Sequence, residues 1–280
     1  MESTQVDRII RRALEEDIPF GDLTTEVFVP AGAAAQAELV AREPGVLSGG
    51  EVFAQTFRNV DPTVEVTLHT EDGGRFEAGQ TIASVNGAAR PILTGERVAL
   101  NLLQRMSGIA TLTAAFVEAA AGSGARIVDT RKTTPGLRVL ERYAVRCGGG
   151  RNHRFSLSDA VMAKDNHLAM LGREAGDLPT AIRTARARIP HTVHIEVEVD
   201  RLDQIPGALE GGADTIMLDN FSAADLRRGV EMIGGRALVE ASGGVTLETV
   251  AEIAQTGVDL ISVGVLTHGV RALDLGLDLR

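Results

Sequence analysis

The sequence has no tryptophan, one tyrosine and one cysteine, and aromatic residues make up only 3% of its 280 residues. A lone cysteine, Cys147, excludes an internal disulfide framework and fits a reducing compartment. No apolar run approaches the roughly 18 to 20 residues that a membrane span requires. The opening MESTQVDRIIRRALEEDIPF alternates charge with apolar residues at helical spacing, without the apolar stretch or cleavage site of a signal peptide. Positive charge is short as well. The formal net charge is −10, which disfavours nucleic acid, because neutralising phosphates needs an extended basic surface. Lysine is scarcest of all, with only Lys132 and Lys164 in the whole chain. These absences predict a cytoplasmic globular protein with neither membrane nor nucleic acid as partner.

What is present suits packed layers of helix and sheet: 44% hydrophobic residues and 31 glycines, enough for one large domain or two smaller ones. Residues from about 33 to 90 alternate short β runs with Gly, Asp and Asn, the grammar of antiparallel strands and turns. Within them EDGGRFEAGQTIASVNG is similar to the hammerhead of lipoyl and biotin carrier domains. Those carriers need an acceptor lysine at a hairpin tip, and none exists here. From Pro91 a long helical pattern, apolar at i, i+3 and i+4, runs to Gly122. Beyond it come the apolar runs RIVDT, AVMAKD, HIEVEVD, TIMLDN, ALVEASGG and LISVG. The last four recur at the spacing of one strand-helix unit, and each carries its polar residues at its C-terminal end. We therefore expect an α/β protein: an open or incomplete α/β barrel of six or seven strands over residues 111–268, with a separate N-terminal α+β domain over residues 1–110. The tail 269–280 is assigned to the N-terminal domain. A doubly wound sheet is the rival architecture.

Three constellations carry chemistry. ASGGV (241–245) and VGVLTHG (263–269) occupy the last two strand-helix loops, where α/β barrels commonly bind phosphate through backbone N–H groups. Ser242, Gly243, Gly244 and Gly264 would form the cradle, with His268 nearby; the plainer reading is that these glycines serve tight turns. EVEVD and MLDN place carboxylates at neighbouring strand ends, and strand alternation puts Glu196, Glu198 and Asp200 on one face. Glu198, nearer the strand end, is the stronger candidate. Carboxylates beside a phosphate site fit Mg²⁺, although strand-end acids are also often just solvated or salt-bridged. The third constellation is basic. From Arg126 to Arg154 there are eight Arg or Lys against two acids, Asp129 and Glu141. A local basic cluster in an acidic chain points to a small polyanion held in a cleft. Arg138, Arg142 and Arg146 recur at helical spacing and read as a solvated helix face, and Arg151 reads the same way. Cys147 and Tyr143 read as packing residues, and His69, His167, His191 and His194 carry no clear signal.

At DTRKTTPG, GGGRNHR and AKDNH, joined by EEDIPFGDLTTE, GERVALNLLQRMSGIAT, EVEVD, LDN, ASGG and VGVLTHGV, the sequence resembles the quinolinate phosphoribosyltransferase family over nearly its whole length. The resemblance implies that quinolinate and phosphoribosyl pyrophosphate, with Mg²⁺, yield nicotinate mononucleotide, pyrophosphate and CO₂. It implies Arg131, His153, Arg154 and Lys164 in the quinolinate pocket, with Arg97 supplied by a neighbouring subunit. It assigns Lys132, Glu198, Asp219, Ser242, Gly243, Gly244, Val263, Gly264 and His268 to phosphoribosyl pyrophosphate, Glu198 and Asp219 holding the metal. Lys132, Glu198 and Asp219 are the implied catalytic set. The assembly implied is a homodimer with shared sites, with a hexamer as the larger alternative. The rivals are a paralogous phosphoribosyltransferase acting on another acid, a phosphosugar isomerase or synthase barrel, and a non-enzymatic ligand-binding protein.

Overall fold

The computed structural model describes residues 3–164, 166–167 and 177–280. They form two compact units that are not contiguous in sequence. The first comprises residues 1–114, 133–149 and 266–280, the second residues 115–132 and 150–265, so one division falls within the helix Ala89–Ala119. Residues 133–149 thus belong with the N-terminal sheet, where the sequence reading put them in the barrel. The helical spacing of Arg138, Arg142 and Arg146 matches the helix Arg138–Cys147, but tertiary packing places that helix with the first unit.

In the first unit an antiparallel sheet runs in the order β12-β1-β5-β3, with β1 Ala34–Ala41, β3 Glu65–Leu68, β5 Thr81–Ala88 and β12 Leu275–Leu279. A small pair, β2 Gly45–Val46 and β4 Arg75–Phe76, lies apart. Alternation in β1 turns Ala37, Leu39 and Ala41 into a core with Phe53, Phe57, Ile92 and Leu103. Phe53 and Phe57, one turn apart on the helix Gly50–Val60, meet edge to face with ring centroids 5.1 Å apart. Asp72 Oδ1 accepts the N–H groups of Gly49 and Gly50 and so caps that helix. The chain's last strand joins this unit, Leu275 pairing with Ala41 and Leu279 with Ala37. Gly108 permits the approach: a Cβ there would sit 2.3 Å from the carbonyl oxygen of Arg271.

The second unit is a parallel sheet in the order β6-β11-β10-β9-β8-β7. Its strands are β6 Arg126–Val128, β7 Val161–Ala163, β8 Ile195–Val199, β9 Thr215–Asp219, β10 Leu238–Ser242 and β11 Leu260–Ser262. From β7 to β11 each strand lies beside its predecessor, without the reversal of a doubly wound sheet. Arg151 adds a parallel bridge to Val128, extending the sheet beyond β6. Among the described residues no pairing joins that edge to β7, so the barrel is open. Register decides what faces inward. Glu198 and Glu240 both align with Met217 of β9, and Asp219 aligns with Ser242. The alternate positions, Val197, Ile216, Leu218, Val239 and Ala241, are buried and apolar, as a helix-covered outer face requires.

Candidate active site

The inward positions at the C-terminal ends of these strands line a cavity of about 420 Å³, built wholly from the second unit. Thr130, Arg131 and Lys132 come from the loop after β6, and His153 and Arg154 from the segment that follows Arg151. Lys164 follows β7, while Glu198, Asp219 and Ser242 stand at the ends of β8, β9 and β10. Met162, Met217, Glu240 and Ser262 complete the lining and were not anticipated.

Two motifs distant in sequence are joined by one buried carboxylate. Asp129, fully buried, accepts from Asn152 Nδ2 at 2.5 Å and from the His153 backbone N–H at 2.7 Å. The backbone of Arg151 also pairs with Ile127 and Asp129. DTRK and RNHR therefore present Arg131, Lys132, His153 and Arg154 to the same cavity. Arg151, exposed, contributes its backbone to the sheet edge rather than a helix face. The Arg154 guanidinium donates to the Ala160 carbonyl at 3.1 Å and to Met162 Sδ at 3.4 Å. Burial, and next the positive charge of Arg131, push the Arg154 pKa down. Two like charges held toward one cavity are an arrangement that an anion relieves. Lys164 forms an ion pair with Glu198 in the same wall.

Beside the cations, the partly exposed His153 meets two buried acids. His153 Nε2 is 3.1 Å from Glu196 Oε2 and 3.4 Å from Glu240 Oε2. Burial alone would lower the imidazole pKa, but bonding to Glu196 and Glu240 outweighs it and lifts it to about 10. Burial likewise pushes the Glu196 carboxyl up, against the opposing pull of His153. Nδ1 accepts the Arg154 backbone N–H at 2.7 Å; the two acids favour a second ring proton and this bond opposes it, so the bond belongs to the singly protonated ring with its proton on Nε2. His153 thus turns both ring nitrogens to protein partners. The only legible signal for Glu240 was an acid inside an apolar run.

The loop residues at the last strands show why the motifs read as they do. Asn220, in LDN, has φ of 59°, alone among described non-glycine residues in the left-handed region. Its N–H donates to the Ser242 carbonyl, and a Cβ on Gly243 would fall 2.2 Å from Asn220 Oδ1. Gly243 also has φ of 90°, so a side chain there is excluded twice. At Gly244 a Cβ would meet no other described residue within 4 Å beyond its chain neighbours. Val263 is fully buried, so only its backbone can face a ligand.

Other expected site residues lie elsewhere. Arg97 is exposed in the first unit and lines a separate pocket of about 300 Å³ with Asp17, Asp22 and Thr94. His268 is exposed and also belongs to the first unit, and neither it nor Gly264 lines the cavity. Asp200 lies past the end of β8 and pairs with Arg201. Arg142, expected on a solvated face, is buried at 8% exposure because the helix Arg138–Cys147 packs on more than one side. Asp165, inside the AKDNH motif, lies outside the described residues. No helix among the described residues is long and apolar enough to cross a membrane.

Comparison with known proteins adds a family. A family model described as quinolinate phosphoribosyl transferase, N-terminal domain, matches residues 22–107, and the corresponding C-terminal domain matches residues 109–278. The nicotinate-nucleotide pyrophosphorylase (carboxylating) of Mycobacterium leprae is 47% identical over 276 residues, covering 96% of this chain and 95% of that protein. A probable enzyme of the same name from Bacillus subtilis is 42% identical over 279 residues, covering 100% of this chain and 95% of that protein. The crystal structure of NadC from Streptococcus pyogenes superposes with a TM-score of 0.94 at 41% identity, covering 100% of this chain and 99% of that one.

Proposed function

Because the chain belongs to the quinolinate phosphoribosyltransferase family, we propose that it transfers phosphoribosyl from phosphoribosyl pyrophosphate to quinolinate with decarboxylation, giving nicotinate mononucleotide for NAD biosynthesis. The observation that carries this reading is the cavity in which Arg131, Lys132, Arg154 and Lys164 converge beside Glu198 and Asp219. Quinolinate carries two adjacent carboxylates and its co-substrate several negative charges, so their approach in water is electrostatically uphill. The cationic wall offsets that repulsion and aligns the pyridine nitrogen with the anomeric carbon. Arg131, Arg154 and Lys164 take the carboxylates, with His153 orienting Arg154 through its backbone N–H.

The C–N bond forms as the anomeric C–O bond breaks and pyrophosphate departs. Positive charge then develops on the ribose, where Glu198 and Asp219 stabilise it, while Lys132 and the loops at Ser242–Gly244 and Val263–Gly264 hold the leaving phosphates. In the pyridinium product the C2–carboxylate bond breaks, CO₂ leaves, and the electron pair left on C2 takes a proton. The ring itself is the electron sink, so orientation suffices for that step.

Two strand-end carboxylates beside a phosphate-accepting loop fit Mg²⁺, which prefers hard oxygens and shares its shell with substrate phosphates. Asp219 fits more directly, accepting among the described residues from Asn220 at 2.7 Å, whereas Glu198 would exchange Lys164 for the ion or meet it through water. When bound, the ion would neutralise charge on the pyrophosphate.

Arg97, outside the cavity lining, is proposed to serve a partner's site in a homodimer. The exposed apolar side chains Phe20, Leu23, Val27 and Phe28 support an interface close to it, since Leu23 and Arg97 line one pocket. The deciding assay combines purified protein, phosphoribosyl pyrophosphate and Mg²⁺ with either quinolinate or nicotinate, and follows CO₂ and nicotinate mononucleotide. A site matched to two carboxylates should favour quinolinate by kcat/KM on the order of a hundredfold or more. Comparable values for the two acids would point to a paralogue acting on another acid.

A further inference from the structure

We propose that Arg105 and Glu141 form a clamp that fixes the main chain at Thr134, where the chain continues from Arg131 and Lys132, and at Thr267, where it continues from Gly264 to His268. Neither residue lines the cavity, and the proposal rests on the phosphoribosyl-transfer reading for what those segments do. Glu141 is 1% exposed and uses both oxygens. Oε1 accepts from Arg105 Nε at 2.8 Å and Nη2 at 2.6 Å, and Oε2 accepts the Thr134 backbone N–H at 3.0 Å. The same Arg105 Nη2 reaches Thr134 Oγ1 and the Thr267 carbonyl, each at 2.8 Å.

One ion pair therefore ties four stretches of the first unit together. They are the part of the helix Ala89–Ala119 that carries Arg105, the helix Arg138–Cys147, the chain at Thr134 and the chain at Thr267. Thr134 lies two residues after Lys132, and Thr267 directly precedes His268. A backbone N–H and a backbone carbonyl are both fixed, so the clamp constrains main-chain position rather than side-chain packing alone. A planar guanidinium with donors in a fixed fork suits this; a point-charge ammonium does not. Arg105 and Glu141 thus act as positioning residues, and misplacing a loop by about an ångström can cost on the order of a hundredfold in rate.

The test uses the full chain carrying Glu141→Gln, Arg105→Ala or Arg105→Lys. In Glu141→Gln an amide NH₂ can face the Thr134 N–H, and two donors repel. Hydrogen exchange is measured over 131–136 and 264–268, alongside kcat and KM for both substrates well below the melting temperature. Faster exchange confined to those two segments is expected, with kcat/KM lowered about tenfold or more and partly restored in Arg105→Lys relative to Arg105→Ala. Exchange equal to wild type in both segments would overturn the clamp. So would an activity loss that merely tracks the unfolded fraction. Wild-type protein inactive toward quinolinate and phosphoribosyl pyrophosphate would remove the functional reading, while the exchange data would still decide whether the clamp exists.

Discussion

Asn220 and Gly243 show how closely single residues are specified at the strand ends. The left-handed Asn220 packs its side chain where Gly243 has no Cβ, and it donates its N–H to Ser242. Gly243→Ala would add both a close contact and a conformation costing roughly 1–2 kcal/mol for an L-residue. We expect it to lower the melting temperature by a few degrees and to raise the KM for phosphoribosyl pyrophosphate more than that for quinolinate. Thermal denaturation and steady-state kinetics check both outcomes. Gly244→Ala, with open space around its Cβ position, should lose less stability, its φ of 60° being the remaining strain.

At the scale of elements, the ends of the sheet in the first unit are held by charge. Glu43, just after β1, accepts from Arg271 Nη1 at 2.7 Å, from Arg271 Nη2, and from the Asp274 N–H at 2.8 Å. The hydrogen bond from Arg271, then that from the Asp274 backbone, depresses its pKa to about 2. A depressed carboxylate contributes stability above its unfolded value, roughly 4.3, and loses it as pH falls through the folded value. Wild type should therefore melt above Glu43→Gln at pH 6, and the gap should close between about pH 4 and pH 2. A gap independent of pH would show that Glu43 acts by packing rather than charge. Arg271 is mostly exposed, so the effect should also shrink in high salt.

The whole molecule offers a sharper experiment, since the proposed site needs two chains. Arg97→Ala and Arg131→Ala should each be nearly inactive alone. Mixed after dissociation and reassociation, they should recover activity, because a mixed dimer holds one site with both arginines intact. Random pairing makes about half the dimers mixed, each with one working site of two, so recovery should approach roughly a quarter of wild type. No recovery, in a mixture shown by mass spectrometry to have exchanged subunits, would place Arg97 outside a shared site.

Much of the fold was legible because its signals are local. The period of short apolar runs ending in polar residues is a property of each strand, and it marked the parallel barrel and the inward parity of Glu196 and Glu198. The scarcity of lysine drew attention to Lys132 and Lys164, both of which line the cavity. Lateral relations were not legible, because they depend on which strands pair and how the chain returns. Nothing in the order of residues says that Glu240 of β10 meets His153 and Glu196, that residues 133–149 pack with the first unit, or that Arg142 is buried. A buried charge survives only if the tertiary structure brings it a partner. Sequence alone therefore determined which groups the chain has for holding anions. The tertiary structure decided which of them converge on one cavity and which stand behind it.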